Sequence, residues 1–362
     1  EGIEFIQWNA NVDLDDPTAH SVTIELHEIV VLTPNFTTPT FAYDSAAGTL
    51  TDGAHVLKVT KSQDGSFTVS SALKVQSGVT LDLSKPITGG GQIVAIGASA
   101  FQNNSNLRSL VLPEGLTTLG NNAFSGCSML TNVINLIPDS VTTIGQAVFY
   151  NCKLLASPAK IGFGMDAKGN PLEVSIDQSS SADLNSNLFG YDAKIPSLRW
   201  GPGVKTVPRF ATYGMSSLGY LEVGVNVEKY REYADGLGSL SNVVILATND
   251  IYLSDERTTK AAFAGGNLRE VEMHGWFGYE AGKTPFSWST KQVRMIVPGD
   301  NLEWVGFMAD TAKVTPWAEV GDDYKTAYTN RYGEAAAEPI GVTVTGASVI
   351  PGGTWIVSDG KR

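Results

Sequence analysis

The sequence has little charge, few histidines and cysteines, and no long apolar run. Of its 362 residues, 17% are charged, four are His and two are Cys. No apolar stretch approaches the roughly 18 residues of a membrane-spanning helix, so we expect no membrane span. His20, His27, His55 and His274 lack the spacing of a metal-binding motif, and we therefore expect neither a metal ion nor any other cofactor.

Positive charge is also scarce. The 25 Lys and Arg residues are outnumbered by 37 Asp and Glu residues, which gives a formal net charge of −12. This charge repels a polyanion, and no Lys/Arg cluster in the sequence reverses it locally, so we expect no nucleic-acid partner. The acidic run "DLDDPT", with Asp13, Asp15 and Asp16, lacks the Gly and distal Glu of an EF-hand, so we expect a solvated turn rather than a calcium site.

Apolar residues and glycines are abundant and follow a repeat. The chain is 42% hydrophobic and has 38 Gly and 16 Pro, a composition typical of a folded, turn-rich protein. From Gly91 to about Val297 one unit recurs, I-G-x-x-A-F-x-x-C/N-x-x-L-x-x-V/L-x-L-P, best seen in "IGASAFQNNSNLRSLVLP". A repeat of roughly 20 to 29 residues with an L-x-x-L-x-L core predicts a leucine-rich solenoid, α/β or mainly β, with short strands in a curved parallel sheet. We expect about eight coils within residues 81–298, with a poorly matching insertion at 156–192.

The phenylalanine of each unit is predicted to be structural. Phe101, Phe124 and Phe149 recur at spacings of 23 and 25 residues, and Phe189 keeps the same position later in the chain. One coil cannot bury its apolar side alone, because that side is covered only by the neighbouring coils. We therefore expect these rings to form a continuous buried spine.

The two cysteines belong to the same repeat. Cys127 and Cys152 occupy equivalent positions in adjacent units, and Asn104 stands there in the preceding unit. A position that accepts Asn is a poor candidate for a nucleophile, so we expect buried free thiols. A disulfide between adjacent coils is the alternative, although stacked side chains seldom reach the required torsion.

The regions that flank the repeat have different patterns. Residues 1–80 alternate apolar and polar residues around an Asp64-Gly65 turn and predict an N-terminal β-rich domain or cap, which is either a small separate sandwich or paired onto the first coil. Residues 299–335 show helical periodicity and predict a helical C-terminal cap. Residues 336–362 return to strand-like alternation and form a tail.

With its "IGxxAF" opening and the closing stretch "VPGDNLEWVGFMA", the repeat resembles the BspA-like leucine-rich repeat proteins, also called the Treponema-type repeat. The likeness covers residues 91–317 and is strongest in the first three units. It implies an exported protein that adheres to host proteins or other cells. Such proteins are anchored at the bacterial outer membrane or secreted, often behind a leader or lipidated cysteine. The likeness implies no shared catalytic residues. The chain opens "EGIEFIQWNA", with neither Met nor a signal-type apolar core, and we expect a mature or trimmed chain.

One stretch, "HGWFGYEAGKTPFSW" at His274–Trp288, is predicted to be an irregular loop between two coils that carries binding residues. Aromatic side chains in loops on a rigid scaffold are good binding anchors, whereas the alternative is that these rings cover the solenoid. The candidate ligand-binding residues of this loop are Trp276, Phe277, Tyr279, Glu280, Lys283, Phe286 and Trp288.

A second candidate surface is the inner strand face, where residues alternate with core positions. The alternative for these residues is a plain solvated face. Its candidates are Arg108, Ser109, Glu222, Arg269, Glu270 and Glu272.

The predicted architecture together with the resemblance implies a non-enzymatic, exported surface protein that binds an extracellular protein or glycan through its strand face and loops. A glycan-processing or polysaccharide-capture component is the alternative, motivated by the aromatic stretch and the acidic composition. A structural spacer is a further alternative.

Overall fold

The computed structural model describes residues 40–177 without a gap, then residues 188–190, 193–208, 210–230 and 237–247, together with Asn267 and a set of strands nearer the two ends. In these parts of the chain the secondary structure is strand and turn, and no α-helix occurs. The fold is a mainly β leucine-rich solenoid of about seven turns, against about eight expected. No helix among the described residues is long and apolar enough to cross a membrane.

Six strands precede the coils. They are β1 (Glu4–Ala10), β2 (Leu32–Thr37), β3 (Ala42–Asp44), β4 (Thr49–Thr51), β5 (Val56–Lys61) and β6 (Phe67–Lys74). β1 pairs with β2, and β3 to β6 form an antiparallel meander.

The strands of the coils form a main sheet and a side sheet. The main strands are β7 (Leu81–Asp82), β9 (Ser109–Val111), β11 (Asn132–Ile134), β13 (Ala159–Ile161), β15 (Ser197–Trp200), β17 (Tyr220–Val223), β19 (Asn242–Ile245), β22 (Glu270–Met273) and β25 (Arg294–Pro298). The side strands are β8 (Ile93–Ile96), β10 (Thr118–Leu119), β12 (Thr143–Ile144), β14 (Ser175–Ile176), β16 (Thr206–Val207), β18 (Lys229–Tyr230), β20 (Ile251–Leu253) and β23 (Phe277–Gly278). Two further strands, β21 (Phe263–Gly265) and β24 (Phe286–Trp288), pair with each other in a separate parallel sheet.

Neighbouring coils pair in parallel and in register with the repeat. In the main sheet Leu110 lies opposite Val133, and in the side sheet Leu119 lies opposite Ile144. The strands β13, β15, β17, β19, β22 and β25 continue the main sheet without interruption. Two strands of the stretch predicted to be an insertion, β13 and β14, therefore take part in the two sheets.

The main sheet is interrupted once, between β11 and β13. The Val133 amide donates a hydrogen bond to the Ser157 hydroxyl at 2.8 Å, and this hydroxyl donates to the Asn132 side-chain oxygen at 3.1 Å. The unit with Leu155 has one extra residue before its next buried apolar position, Ala159, which explains the interruption. Ser157 therefore supplies a link where the backbone ladder breaks.

The phenylalanine spine is present as predicted. Phe101, Phe124, Phe149 and Phe189 are at most 1% exposed. Successive ring centroids are 5.0, 5.2 and 6.1 Å apart, and the rings lie within 14° of parallel. The ring of each coil therefore packs directly on the ring of the next.

Backbone hydrogen bonds tie the turns that carry these rings to one another. The amide of Phe101 donates to the carbonyl of Ala123, and the amide of Phe124 donates to that of Val148, each at 2.8 Å. Residues before the rings adopt a left-handed conformation, with φ of 56° at both Ser99 and Asn122. Because each turn repeats this geometry, the turns stack as regularly as the strands do.

The glycine that follows the last Ile or Leu of β8, β10 and β12 allows adjacent coils to approach closely. A Cβ atom added at Gly120 would lie 2.5 Å from the backbone nitrogen of Ala98 and 2.7 Å from the carbonyl carbon of Gly97. Backbone atoms in a stacked coil cannot move aside as a flexible side chain does, so glycine is required there.

We expect Gly120→Ala to lower the free energy of unfolding by about 1–3 kcal/mol, the usual cost of overpacking a tight site. Gly238→Ala is the matched control, because a Cβ at Gly238 meets nothing within 4 Å. The two variants should be compared by urea denaturation followed by circular dichroism. Equal stability of both would contradict the role assigned to Gly120.

The strands before the coils join the solenoid directly. β6 pairs in parallel with β8, with Val69 opposite Ile96. The amide of Phe41 donates to the Pro86 carbonyl, and the amide of Thr88 donates to the Phe41 carbonyl, each at 2.8 Å. Residues 42–74 thus add four strands to the edge of the side sheet.

Three strands follow the coils, β26 (Thr311–Thr315), β27 (Pro339–Thr345) and β28 (Thr354–Ser358). They pair as antiparallel neighbours, and β28 also lies parallel to β25. The described part of the predicted helical cap, β26, is a strand. Residues 300–310 and 316–333, which carry the helical periodicity, lie outside the described residues, and the helices there stay a prediction.

Candidate ligand-binding face

Side chains of the main strands alternate between the core and the opposite side of the sheet. Leu198 and Trp200 of β15 are buried, whereas Ser197 and Arg199 point away from the core. The same alternation runs through every main strand that carries described side chains, because it follows the L-x-x-L-x-L spacing. The outward sides of these strands therefore lie on one side of the coils, opposite the core.

The first five main strands leave this side accessible. We call its exposed and half-buried outward side chains the open face. The open face consists of Asp82, Ser109, Val111, Asn132, Ile134, Lys160, Ser197 and Arg199. Ile134 is 52% exposed, which makes it an accessible apolar side chain on a face whose other members, apart from the half-buried Val111, are polar.

Arg199 is held in place on the open face by two neighbours. Its guanidinium carbon lies 4.9 Å from the centroid of the Phe163 ring, and its Nη2 donates a hydrogen bond to Glu222 Oε1 at 2.9 Å. Arg199 and Glu222 lie opposite each other in β15 and β17, so the strand register places the two groups together. The Tyr220 hydroxyl donates to the other carboxylate oxygen, Oε2, at 2.7 Å.

A second cation lies one strand away. Lys160 of β13 is opposite Arg199 of β15, and its Nζ is 2.7 Å from Asp139 Oδ2. Both members of this ion pair are nearly half exposed, at 48% and 42%, so solvent screening leaves the pair weak. Lys160 and Arg199 thus present two accessible positive charges on adjacent strands.

Beyond β15 the central outward positions of β17, β19 and β22 are buried. Glu222, Val244 and Glu272 occupy successive outward positions of β17, β19 and β22, and each is 2–3% exposed. A solvated position is therefore wrong for Glu222 and Glu272. Both oxygens of Glu222 accept hydrogen bonds from protein groups, which suits a carboxylate that positions its neighbours.

The remaining candidates of the inner face differ in position. Arg108 is exposed and precedes β9, and Ser109 is half-buried within it. Glu270 begins β22 opposite Asn242 and Arg294. Arg269 lies outside the described residues.

The aromatic stretch is not wholly an irregular loop, and this corrects the expectation from the sequence. Phe277 begins the side strand β23, and Phe286 and Trp288 are the ends of β24. Phe286 pairs with Phe263, 23 residues earlier, so these segments follow the coil repeat. Strands of two or three residues are too short for an alternating pattern, which is why the sequence did not reveal them. Trp276, Tyr279, Glu280 and Lys283 lie outside the described residues.

Cys127 and Cys152 are buried free thiols, as predicted. The Cys127 thiol donates to the Phe101 carbonyl and the Cys152 thiol donates to the Phe124 carbonyl, each at 3.1 Å. The pKa of the Cys152 thiol is raised far above its ordinary value. The largest cause is hydrogen bonding with Cys127, and the second is burial. A thiol in this state is unreactive, so the cysteines belong to the core.

The other groups capable of chemistry do not converge on a site in the described part of the chain. No group of three or more His, Cys, Asp or Glu side chains there is placed to hold a metal ion. His55 is fully buried, and its Nδ1 lies 3.0 Å from Asp52 Oδ1. His20, His274 and the acidic run at Asp13 lie outside the described residues.

Residues 85–158 match the sequence profile of the BspA type leucine rich repeat region, with six copies. They coincide with the coils that hold the first three rings of the spine and the stacked turns. These residues are a BspA-type leucine-rich repeat region. The BspA-type region supplies β9 and β11 of the open face, and the described coils continue its geometry beyond residue 158. No curated protein matches the chain.

Several solved structures are similar to the chain. A leucine-rich repeat protein of T. pallidum is 16% identical, with 64% of this chain and 88% of that one covered and a TM-score of 0.33. A leucine-rich repeat protein of Bacteroides ovatus is 15% identical, with 67% and 73% covered and a TM-score of 0.32. A leucine rich cell surface protein of Faecalibacterium prausnitzii is 17% identical, with 68% and 70% covered and a TM-score of 0.36. Because these TM-scores are below 0.5, the assignment to the BspA type rests on the profile match and the coils.

The residues of the open face differ in how far the sequence could reveal them. Arg199 stands between Leu198 and Trp200, which keep the repeat register, so the sequence places it on the outward side. Lys160 lies in the stretch predicted to be an insertion, and only the structure places it between two buried positions of β13. Phe163 follows β13 in a segment with no repeat pattern, and only the folded chain brings its ring to Arg199.

Proposed function

We propose that the protein is a non-enzymatic binding protein that recognises an extracellular protein or glycan through the open face of its main sheet. The observation that carries this proposal is the row of exposed polar and apolar side chains on β9, β11, β13 and β15, which a stacked solenoid holds at fixed spacing. A rigid scaffold lowers the conformational entropy lost on binding, because the contact groups are already ordered. Attachment at a bacterial surface, or secretion, belongs to the same proposal.

A glycan-processing activity has less support. Such chemistry uses two carboxylates that flank the scissile bond. Among the described side chains of the main sheet, Glu222 and Glu272 are buried carboxylates, and Glu222 already accepts hydrogen bonds at both oxygens from Arg199 and Tyr220. Neighbouring side chains therefore occupy both oxygens of Glu222, which favours a positioning role over proton transfer.

The proposal is tested with the purified chain on arrays of extracellular-matrix proteins and glycans. Ile134→Glu introduces a charge on the open face, and Leu73→Glu makes the same change at a side chain of β6 that is 59% exposed. We expect Ile134→Glu to weaken binding to each ligand found at least tenfold, because it buries an unpaired charge in the contact, and Leu73→Glu to leave binding unchanged.

The aromatic stretch is tested in the same assay with the Trp276→Ala/Trp288→Ala double variant. Loss of binding in this variant, together with unchanged binding by Ile134→Glu, would move the site from the open face to that stretch. Absence of any ligand on the arrays would contradict the proposed function and favour a spacer.

A further inference from the structure

Arg199 is fixed before any ligand arrives. The Phe163 ring covers one face of its guanidinium, and Glu222 holds one edge. Glu222 is itself held by the Tyr220 hydroxyl, and its side chain is only 4% exposed. An arginine on a flexible stem loses rotamer entropy when it binds, and this packing removes much of that cost in advance.

The guanidinium keeps free donors on its accessible side. It has five N–H groups, and Glu222 is its one hydrogen-bond partner within the part of the chain that the structure describes. The Arg199 side chain is 47% exposed. A planar fork of N–H groups matches the two oxygens of a carboxylate, so the accessible edge is suited to that group.

Lys160 extends the positive charge to the neighbouring strand. Adjacent strands are about 4.8 Å apart, so the positions of Lys160 and Arg199 suit two acidic side chains of one segment. The ion pair of Lys160 with Asp139 is exposed and weak, and it yields readily to a partner. Lys160 and Arg199 thus place two accessible positive charges side by side in a chain whose net charge is −12.

We propose that Arg199 and Lys160 bind two acidic side chains of an extended protein segment, with Arg199 making a two-pronged contact to one carboxylate. This inference rests on the proposed function and names the chemistry of its partner. A sugar ring that stacks on an aromatic side chain needs an uncovered ring face, and the guanidinium already lies over the Phe163 ring. The exposed Ile134 offers an apolar contact to an aliphatic side chain of the same segment.

The test is selection from a random ten-residue peptide display library on the wild-type protein, followed by fluorescence anisotropy with the selected peptides. We expect enrichment of Asp and Glu beside an aliphatic residue. Loss of the hydrogen bonds to a charged group should weaken binding of these peptides to Arg199→Gln about tenfold or more. Arg199→Lys keeps the charge but not the fork, so it should also bind more weakly than the wild type.

Two controls separate binding from folding. Arg199→Gln leaves the buried Glu222 without its cation and can therefore lower stability. The double variant Arg199→Gln/Glu222→Gln removes both charges. Thermal unfolding compares the stability of the two variants. Lys74→Gln removes an exposed positive charge from β6, which belongs to the side sheet and not to the main sheet, and should bind the peptides as the wild type does. A loss of binding that appears in both Arg199→Gln and the double variant, with both folded, supports the inference.

The outcomes distinguish this inference from the proposed function. Selected peptides that bind equally well to Arg199→Gln would overturn the inference and leave the open face as a general binding surface. Arg199-dependent binding of oligogalacturonate, with no acidic peptide enriched, would replace the protein segment by an acidic glycan. If neither acidic peptides nor oligogalacturonate bind, the inference fails. The arrays of extracellular-matrix proteins and glycans then test the proposed function independently.

Discussion

Phe124→Ala is expected to lower the free energy of unfolding by about 3–5 kcal/mol, the range found when a buried Phe is truncated and a cavity remains. The Phe124 ring is fully buried, 5.0 Å from the Phe101 ring and 5.2 Å from the Phe149 ring. The cavity would have packed rings on both sides that are fixed by their own coils, so it cannot easily collapse. The measurement is urea denaturation followed by circular dichroism and tryptophan fluorescence.

Leu73→Ala is the matched control for this prediction. Leu73 is also a large apolar side chain, but it is 59% exposed on β6, and its truncation should change stability by no more than about 0.5 kcal/mol. A loss below about 1 kcal/mol for Phe124→Ala would contradict the spine as a stabilising feature.

Asp52→Asn should destabilise the junction between the first strands and the coils by about 3 kcal/mol at neutral pH, because removal of one partner leaves a buried ion pair incomplete. The Asp52 side chain is 1% exposed and lies 2.7 Å from Lys85 Nζ and 3.0 Å from His55 Nδ1. Asp52 lies between β4 and β5, whereas Lys85 follows β7, so the pair joins the two regions. Lys85 is 15% exposed, which places the expected loss at the lower end of the range for buried pairs.

The pH dependence of this effect follows from the state of Asp52. Burial raises the pKa of Asp52, but hydrogen bonds from Lys85 and His55 outweigh it and hold the pKa below its ordinary value of 3.8. A depressed pKa in the folded state gives stability that is fully present above the ordinary value and is lost as the pH falls through the folded value. The difference between wild type and Asp52→Asn should therefore be constant from about pH 5 to 7 and shrink below about pH 4.

Urea denaturation at a series of pH values measures this difference. Asp64→Asn is the comparison variant, because Asp64 lies in an exposed turn where its carboxylate accepts hydrogen bonds from Ser66. Its effect on stability should be much smaller than that of Asp52→Asn. Equal effects of the two variants, or a difference for Asp52→Asn that grows at acid pH, would argue against the buried ion pair.

The sequence by itself determined the repeating part of the protein. The spacing of Ile, Gly, Phe and Leu predicted the parallel coils, the stacked rings of Phe101, Phe124 and Phe149, and the free thiols of Cys127 and Cys152. These features depend on contacts between equivalent positions of adjacent coils. A periodic sequence specifies such contacts directly, because each unit meets the same neighbours.

The tertiary structure alone decided which surface is available for binding. The sequence treated Glu222 and Glu272 as solvent-facing, although the fold buries both, and it treated Phe277, Phe286 and Trp288 as parts of a loop, although they lie in strands. Burial of an outward side chain depends on what packs above the sheet, and repeat spacing carries no information about that.

The Arg199 cluster illustrates the same limit. Arg199 could be placed on the outward side from its position between Leu198 and Trp200, but its partners could not be identified. Phe163 and Glu222 come from coils on either side, 36 and 23 residues away in the chain. Only the folded chain brings an aromatic ring, a buried carboxylate and a guanidinium together, because their contact depends on the path of an irregular segment as well as on strand register.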